Sequence, residues 1–335
     1  MKYLITILAS LAFFSCKKRE IVMTKPEGDL IASIAFGSCN RQNKEQILWD
    51  DVLTDDPDMW IWLGDNIYGD TSDPEKMKSK YQRQKGNRLY QELNQKTQIY
   101  GIWDDHDYGK NDAGKEYSAK DTMRDLMFDF LEVPRTNEAW NTDGAYQSYD
   151  LKVGELKVKL VLLDSRYFRD EAVKEEGIYV PNLSGSILGD AQWLWLEKEL
   201  ENVEADILIV GNGIQVIPEE HKYEKWANFP NERKKLLSLL SSVKDMPTIL
   251  LSGDRHLTEV SKLEGEKPIY EITSSGMTHT YTGFVGEANK HRIGEVVTKK
   301  SYGLLKIFSD KGVNKIVFEA RGDGNQTFLQ IPIDY

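Results

Sequence analysis

The sequence predicts an α/β fold. Three observations carry that reading: short apolar runs recur along the chain, stretches of helical period separate them, and the runs are apolar at nearly every position instead of at alternate ones. Strands read that way when other layers cover both of their faces.

The strand runs, in order, are residues 30–39 (LIASIAFGSC), 58–65 (DMWIWLGD), 97–105 (TQIYGIWDD), 157–166 (KVKLVLLDSR), 205–212 (ADILIVGN), 247–254 (PTILLSGD) and 268–276 (PIYEITSSG). Helices are expected between them at 44–53, 74–93, 118–131, 190–203 and 231–244. In the fourth, Asp190 is placed to cap the N-terminus, with Trp193, Leu196 and Leu200 on one face. Near the end, YGLLKIFSD, NKIVFEARG and QTFLQIPID alternate like antiparallel edge strands between turn signals. They should complete one sheet of the same domain.

With 335 residues, 40% hydrophobic and 29% charged, the chain can bury a large core and is no disordered polyanion. The net charge of −11, with lysines and arginines scattered, argues against binding duplex nucleic acid. Residues 4–14 form an apolar run behind Lys2, too short to span a bilayer, and the run stops at Ser15 and Cys16 ahead of Lys17, Lys18 and Arg19. That pattern resembles a bacterial lipobox, although Phe13 stands where leucine is usual. The expected division is a lipoprotein signal at 1–16 with Cys16 lipidated, a polar tether at 17–29 and one functional domain at 30–335. An ordinary cleaved signal would remove Cys16 altogether. On either reading Cys39, the other cysteine, has no partner for an intramolecular disulfide.

The stretch GIWDDHDYG (101–109) sets three aspartates around one histidine behind an apolar run. Burying an unpaired carboxylate costs several kcal/mol or forces it to take a proton, so a cation is expected there. The same holds across the chain, because the strand runs end in Cys39, Asp65, Asp104 and Asp105, Asp164, Asn212 and Asp254. Ligands in such folds bind beyond the carboxyl ends of the strands. A single Asp there is commonly a turn or cap residue. Six strand ends together, with His106 and His256, make a metal site, and the carboxylates exceed what one ion coordinates.

The ordered set GSC (37–39), GDNIY (64–68), WDDHD (103–107), DSRYFR (164–169) and GDRH (253–256), joined by LGDAQWLWLEKEL (188–200) and GNGIQV (211–216), resembles the alkaline phosphatase D (PhoD-like) family of calcineurin-like metallophosphoesterases. The likeness runs over roughly residues 31–277. It implies two mixed β-sheets packed as a sandwich flanked by helices. It implies ferric iron bound by the Cys39 thiolate and Tyr68 phenolate, and a divalent ion, usually calcium, with Asp65 bridging the two. Asp105 would serve the second ion, Asp254 and His256 would supply late ligands, one to each ion, and Asn212 would be either a further ligand or a turn residue. His106 would contact substrate. Asp104 and Asp107 would be ligands or would orient His106, a role that suits Asp107. Arg166, Arg169 and Arg255 would grip phosphate oxygens. Larger relatives carry an additional N-terminal β-domain, for which residues 17–31 leave no room.

Two long loops, 170–189 and 277–297, are expected to shape specificity, the second holding His279 and His291, whereas His221 is expected on the surface. The function implied is extracytoplasmic hydrolysis of small phosphate esters by in-line attack of water whose pKa the ions lower, with His106 assisting the leaving oxygen. A lipid anchor would tie the protein to the membrane, and no obligate protein partner is called for. The rival is a non-catalytic lipoprotein that uses the same metals to bind phosphate or an anionic glycan. A nuclease of the same superfamily is a third reading, disfavoured by the lack of a basic or aromatic track. The anchor is tested by Cys16→Ala, which should move the protein from the membrane fraction to the soluble one. Retention at the membrane would point to another attachment.

Overall fold

The computed structural model describes residues 27–243 and 246–335. The expected signal, Cys16 and the tether up to residue 26 lie outside the described residues.

The first sheet begins with β1 (Asp29–Gly37), β2 (Met59–Leu63) and β3 (Gln98–Ile102), all parallel. The last three strands, β13 (Tyr302–Asp310), β14 (Val313–Gly322) and β15 (Gln326–Ile333), continue it antiparallel, giving the order β15-β14-β13-β1-β2-β3. The second sheet is built from β4 (Gln147–Val153), β5 (Leu156–Leu162), β8 (Ile207–Gly211), β9 (Thr248–Ser252), β10 (Thr258–Leu263), β11 (Ile269–Ser274) and β12 (Arg292–Val297), in the order β12-β10-β11-β9-β8-β5-β4. Its central β5, β8, β9 and β11 are parallel and its flanking strands antiparallel. A short hairpin of β6 (Lys174–Glu175) and β7 (Ile178–Tyr179) stands apart.

Strand alternation separates two cores in the second sheet. Leu160, Leu162, Ile207, Ile209, Ile249 and Leu251 join the core shared with the first sheet. Val161, Leu208, Val210 and Leu250 face the other way, onto Trp193 and Leu196 of α6 (Gly189–Glu199) and Leu236 and Leu240 of α7 (Pro230–Ser242). The outer face of the first sheet is covered by α1 (Trp49–Asp55), α2 (Pro74–Lys85), α3 (Arg88–Lys96) and α5 (Lys120–Phe130). Buried on both faces, the parallel strands have no polar side to show, which is why they read as continuous apolar runs.

The helical segment expected at 74–93 is two helices, because Gly86 closes α2 and the Asn87 side chain accepts from the amides of Leu89 and Tyr90 to start α3. The cap expected of Asp190 is also absent. Asp190 lies within the first turn of α6, and the Gly189 N–H donates to Ser186 Oγ at 2.8 Å.

Register brings the functional edge together: Leu63 lies opposite Ile102, so the residues following β2 and β3 emerge side by side. Close approach there demands glycine. A Cβ on Gly64, whose φ is +86°, would sit 2.4 Å from Asp104 Cβ, and one on Gly213 would sit 2.4 Å from Asp104 Oδ1.

The largest aromatic packing lies under β2, where Trp49, Trp60, Trp62, Tyr90 and Phe130 form one buried cluster and the Trp62 indole donates to Tyr90 Oη at 3.1 Å. Trp62→Ala should lower stability by about 3–5 kcal/mol in denaturant unfolding. A loss below about 1 kcal/mol would show that the cluster does not brace this sheet.

Candidate metal centre and its cleft

Short loops carry donors from the strand ends to one place. Cys39, two residues beyond β1, Asp65, two beyond β2, and Asp254 and His256, just past β9, all adopt left-handed backbone, with φ of +58°, +50°, +65° and +55°. Non-glycine residues there cost of order 1–3 kcal/mol each and persist only when their surroundings hold them. Asp105 opens the one-turn helix α4 (Asp105–Tyr108) after β3. Two donor groups result, Cys39 with Asp65 and His256, and Asp65 with Asp105 and His106, each with its donor atoms within 4.8 Å of one another. Asp65 belongs to both. Tyr68 Oη contacts His256 Nε2 at 3.1 Å and His279 Nε2 at 2.9 Å.

The electrostatics of this floor are those of a cation-binding site. Burial pushes the Cys39 thiol up to about 12, against hydrogen bonding from Ser275. Burial and then the charges of Cys39, Asp105, Asp104 and Asp107 hold Asp65 well above the usual carboxylate range. Burial with the charges of Cys39 and Asp65 raises Tyr68, and burial with the charge of Asp105 lifts Asp254 to about 6 despite Arg255. Asp105 Oδ1 is buried without a hydrogen-bond partner, and among the described residues the Asp254 carboxylate makes no hydrogen bond or ion pair. A multivalent cation reverses every one of these causes, so thiol, phenol, carboxylates and imidazole fit bound metal.

Several expected roles are corrected. Asp107 does not orient His106. Its carboxylate accepts the backbone N–H groups of Asp104, Asp65 and Asn66 at 2.7, 3.2 and 3.1 Å, holding the β2 and β3 loops against each other. Burial raises it to about 7 in spite of those bonds. The His106 Nδ1 partner is Asp70, at 2.5 Å, whose hydrogen bond and charge, with those of Asp105 and Asp107, outweigh burial and raise the imidazole's pKa. Arg166 is 0% exposed and cannot reach a substrate. Asp104 Oδ1 accepts from its Nε at 2.7 Å, and Nη2 is ion-paired with Asp104 Oδ1 at 2.6 Å and with Glu224 at 2.5 Å. Asp104 thereby serves as a counter-ion through Oδ1, while its buried Oδ2 has no hydrogen-bond partner. Arg169 is equally buried, paired with Glu224 and donating to the Asp112 carbonyl. Asn212 has both ends of its amide engaged in the fold, accepting from the Trp226 indole at 3.0 Å and donating to the Leu251 carbonyl at 3.4 Å. Asp164 is likewise taken, by the Trp103 indole and the amides of Ala145, Arg166 and Tyr167. His221 is buried, not at the surface, and burial lowers it to about 2. His291 lies away from the centre against Glu219.

Above the floor opens a cleft of about 450 Å³ lined by Asp65, Asp105, His106, Asp254, Arg255 and His256 below and Lys174, Tyr179, Lys222, Tyr223 and Tyr281 at the rim. The two long loops reach it as expected, the first through Lys174 and Tyr179 and the second through Tyr281. The segment holding Lys222, Tyr223 and Glu224 went unnoticed in the sequence, as did Asp70. Arg255 is steered by an ion pair with Glu287 and packs 4.5 Å from the centre of the Tyr223 ring.

Two mixed sheets with helices outside, and thiolate, carboxylate and imidazole donors gathered at their strand ends, are the form of a metal-dependent phosphoesterase. The PhoD-like phosphatase family model matches residues 34–319, and the chain belongs to that family of phosphoric ester hydrolases. A solved structure of PhoD superposes with a TM-score of 0.70 at 16% identity, covering 89% of this chain and 67% of the other. More distant are a 5'-nucleotidase from Candida albicans (TM-score 0.44, 9% identity, 87% of this chain and 52% of that one) and a Thermus thermophilus protein (0.39, 9%, 74% and 91%). No curated protein matches the sequence. Asp70→Asn, which keeps the contact to His106 but removes the charge, should lower turnover about tenfold or more with metal content unchanged. Full activity in that variant would detach Asp70 from the chemistry.

Proposed function

We propose that the enzyme cleaves small phosphodiesters outside the cytoplasm, at ferric iron paired with calcium, and hangs from a membrane by lipidated Cys16. The observation that carries the catalytic part is the sharing of Asp65 by two donor groups beneath a cleft into which His106 and Arg255 project. Phenolate and thiolate are strong anionic donors suited to a trivalent ion, which supports iron on the side of Cys39 and Tyr68. Oxygen donors on the Asp105 side suit calcium. The apolar run at 4–14 ending at Cys16 supports export and anchoring.

When bound, the ions supply Lewis-acid charge to phosphoryl oxygens and a water of lowered pKa. The chain's own residues do the rest. Asp65 and Asp105 set where those charges sit. Asp70 holds Nδ1 of His106, leaving Nε2 to give a proton to the departing alkoxide. Arg255, steered by Glu287, offers its guanidinium to a nonbridging oxygen. Lys174, Lys222 and the rim tyrosines leave the mouth wide and partly aromatic, which suits a second alcohol better than the closed cationic pocket that a monoester dianion favours.

The test compares bis(4-nitrophenyl) phosphate with 4-nitrophenyl phosphate on one preparation, beside elemental analysis. The diester should have kcat/KM at least equal to the monoester. Asp65→Ala should lose metal and activity together, and His106→Ala should lower turnover about 10²- to 10⁴-fold with metal near normal. Metal loss in the His106 variant would make that residue a ligand, unchanged turnover would favour a binding protein, and a hundredfold monoester preference would overturn the substrate class.

A further inference from the structure

Three donor atoms close a triangle at one wall of the centre. Tyr68 Oη is 3.1 Å from His256 Nε2 and 2.9 Å from His279 Nε2, and the two imidazole nitrogens are 3.2 Å apart. His279 was only a loop histidine in the sequence, within the segment 277–297.

Its tautomer follows from the neighbouring hydroxyl. Thr278 Oγ1 has one proton, which it donates to the Cys39 carbonyl at 3.1 Å, and it accepts the Arg41 N–H at 2.8 Å. Toward His279 Nδ1, 3.1 Å away, it can therefore only accept. Nδ1 carries the hydrogen, and the Nε2 lone pair is bare and aimed at Tyr68 and His256. A ligating histidine is ordinarily held in this way, with its distal N–H given to a protein oxygen.

Hydrogen bonding alone satisfies the triangle poorly. The phenol brings one proton and His256 Nε2 at most one, so one of the three edges has none. The edge lengths instead match neighbouring ligands on one ion, since bonds of about 2.0–2.1 Å place adjacent donors about 2.9–3.4 Å apart. We propose that His279 is a ligand of the ion held by Tyr68 and His256, anchored through Thr278 to the backbone of Cys39. The inference rests on the metal reading above. It also ties the loop that brings Tyr281 to the cleft directly to the ion, because the Tyr281 N–H donates to the His256 carbonyl at 2.7 Å.

The test reconstitutes the full-length protein with ferric iron and reads iron per chain, the visible phenolate-to-iron band and the number of coordinated imidazole nitrogens by pulsed paramagnetic resonance. Wild type should show two imidazoles. His279→Gln should show one, with a shifted band and iron affinity at least about 100-fold lower, and Thr278→Val, which frees Nδ1, should lose about 10-fold. His291→Gln should match wild type. One imidazole in wild type, or a His279→Gln protein with unchanged band and affinity, overturns the assignment while leaving the metal centre standing. Wild type that holds no iron overturns both. The wild-type imidazole count settles the matter even where a variant fails to fold.

Discussion

Everything at the strand ends answers to the repulsion between buried anionic donors around Asp65. Burial, and then neighbouring anions, make ionisation costly for Cys39, Asp65, Tyr68 and Asp254: Asp254 acts on Cys39, Cys39 and Asp105 on Asp65, Cys39 and Asp65 on Tyr68, and Asp105 on Asp254. Such a cluster is stable as a set of neutral acids or as the shell of a cation, and a phosphatase needs the second. The fold supplies the counterweight: among the described residues, two large sheets with helices over the outer face of each, and a core continuous between the sheets. That packing can hold four donor residues in left-handed backbone, because the loops bearing them are too short to relax.

The loops also brace one another. Asp107 collects amides from both the β2 and β3 loops, Asn40 N–H reaches the Asp65 carbonyl at 2.9 Å, and the Gly253 N–H reaches the Gly213 carbonyl at 2.9 Å. Apart from the bond from Asp104, three residues from Asp107, each of these joins segments that are distant in sequence. The donor positions therefore depend on the whole domain and do not form locally.

Much of the fold was legible because hydrophobic period survives in each element separately: continuous runs for β2, β8 and β9, alternation for β13 to β15. The donors Cys39, Asp65, Asp105 and Asp254 were legible as strand-end residues for the same reason. What failed was anything decided by neighbours in space. Arg166 has the right chemistry for phosphate, but the chain turns it inward to Asp104 and Glu224, and nothing near Arg166 in sequence says so. Asn212 ends its strand as a ligand would, and only the fold shows that the Trp226 indole, from a separate segment, takes one lone pair of its oxygen. Asp70 and His279 lie in loops without periodicity, and only the folded chain puts the first on His106 and the second on Tyr68.

The interior ion network of Asp104, Arg166, Glu224 and Arg169 has a consequence for the charge in the cleft. Two carboxylates and two guanidiniums sum to zero, so this buttress between floor and rim contributes no monopole to the field at the ions. Potential over the floor is then set by the donors and by the other charged residues of the cleft, among them Arg255, Asp112, Lys174 and Lys222. The rim residues Lys222 and Tyr223, next to Glu224 in the chain, ride on an electroneutral mount. The charge that Lys222 brings to the cleft is therefore its own, set by the rim residue and not by the ion network that carries it.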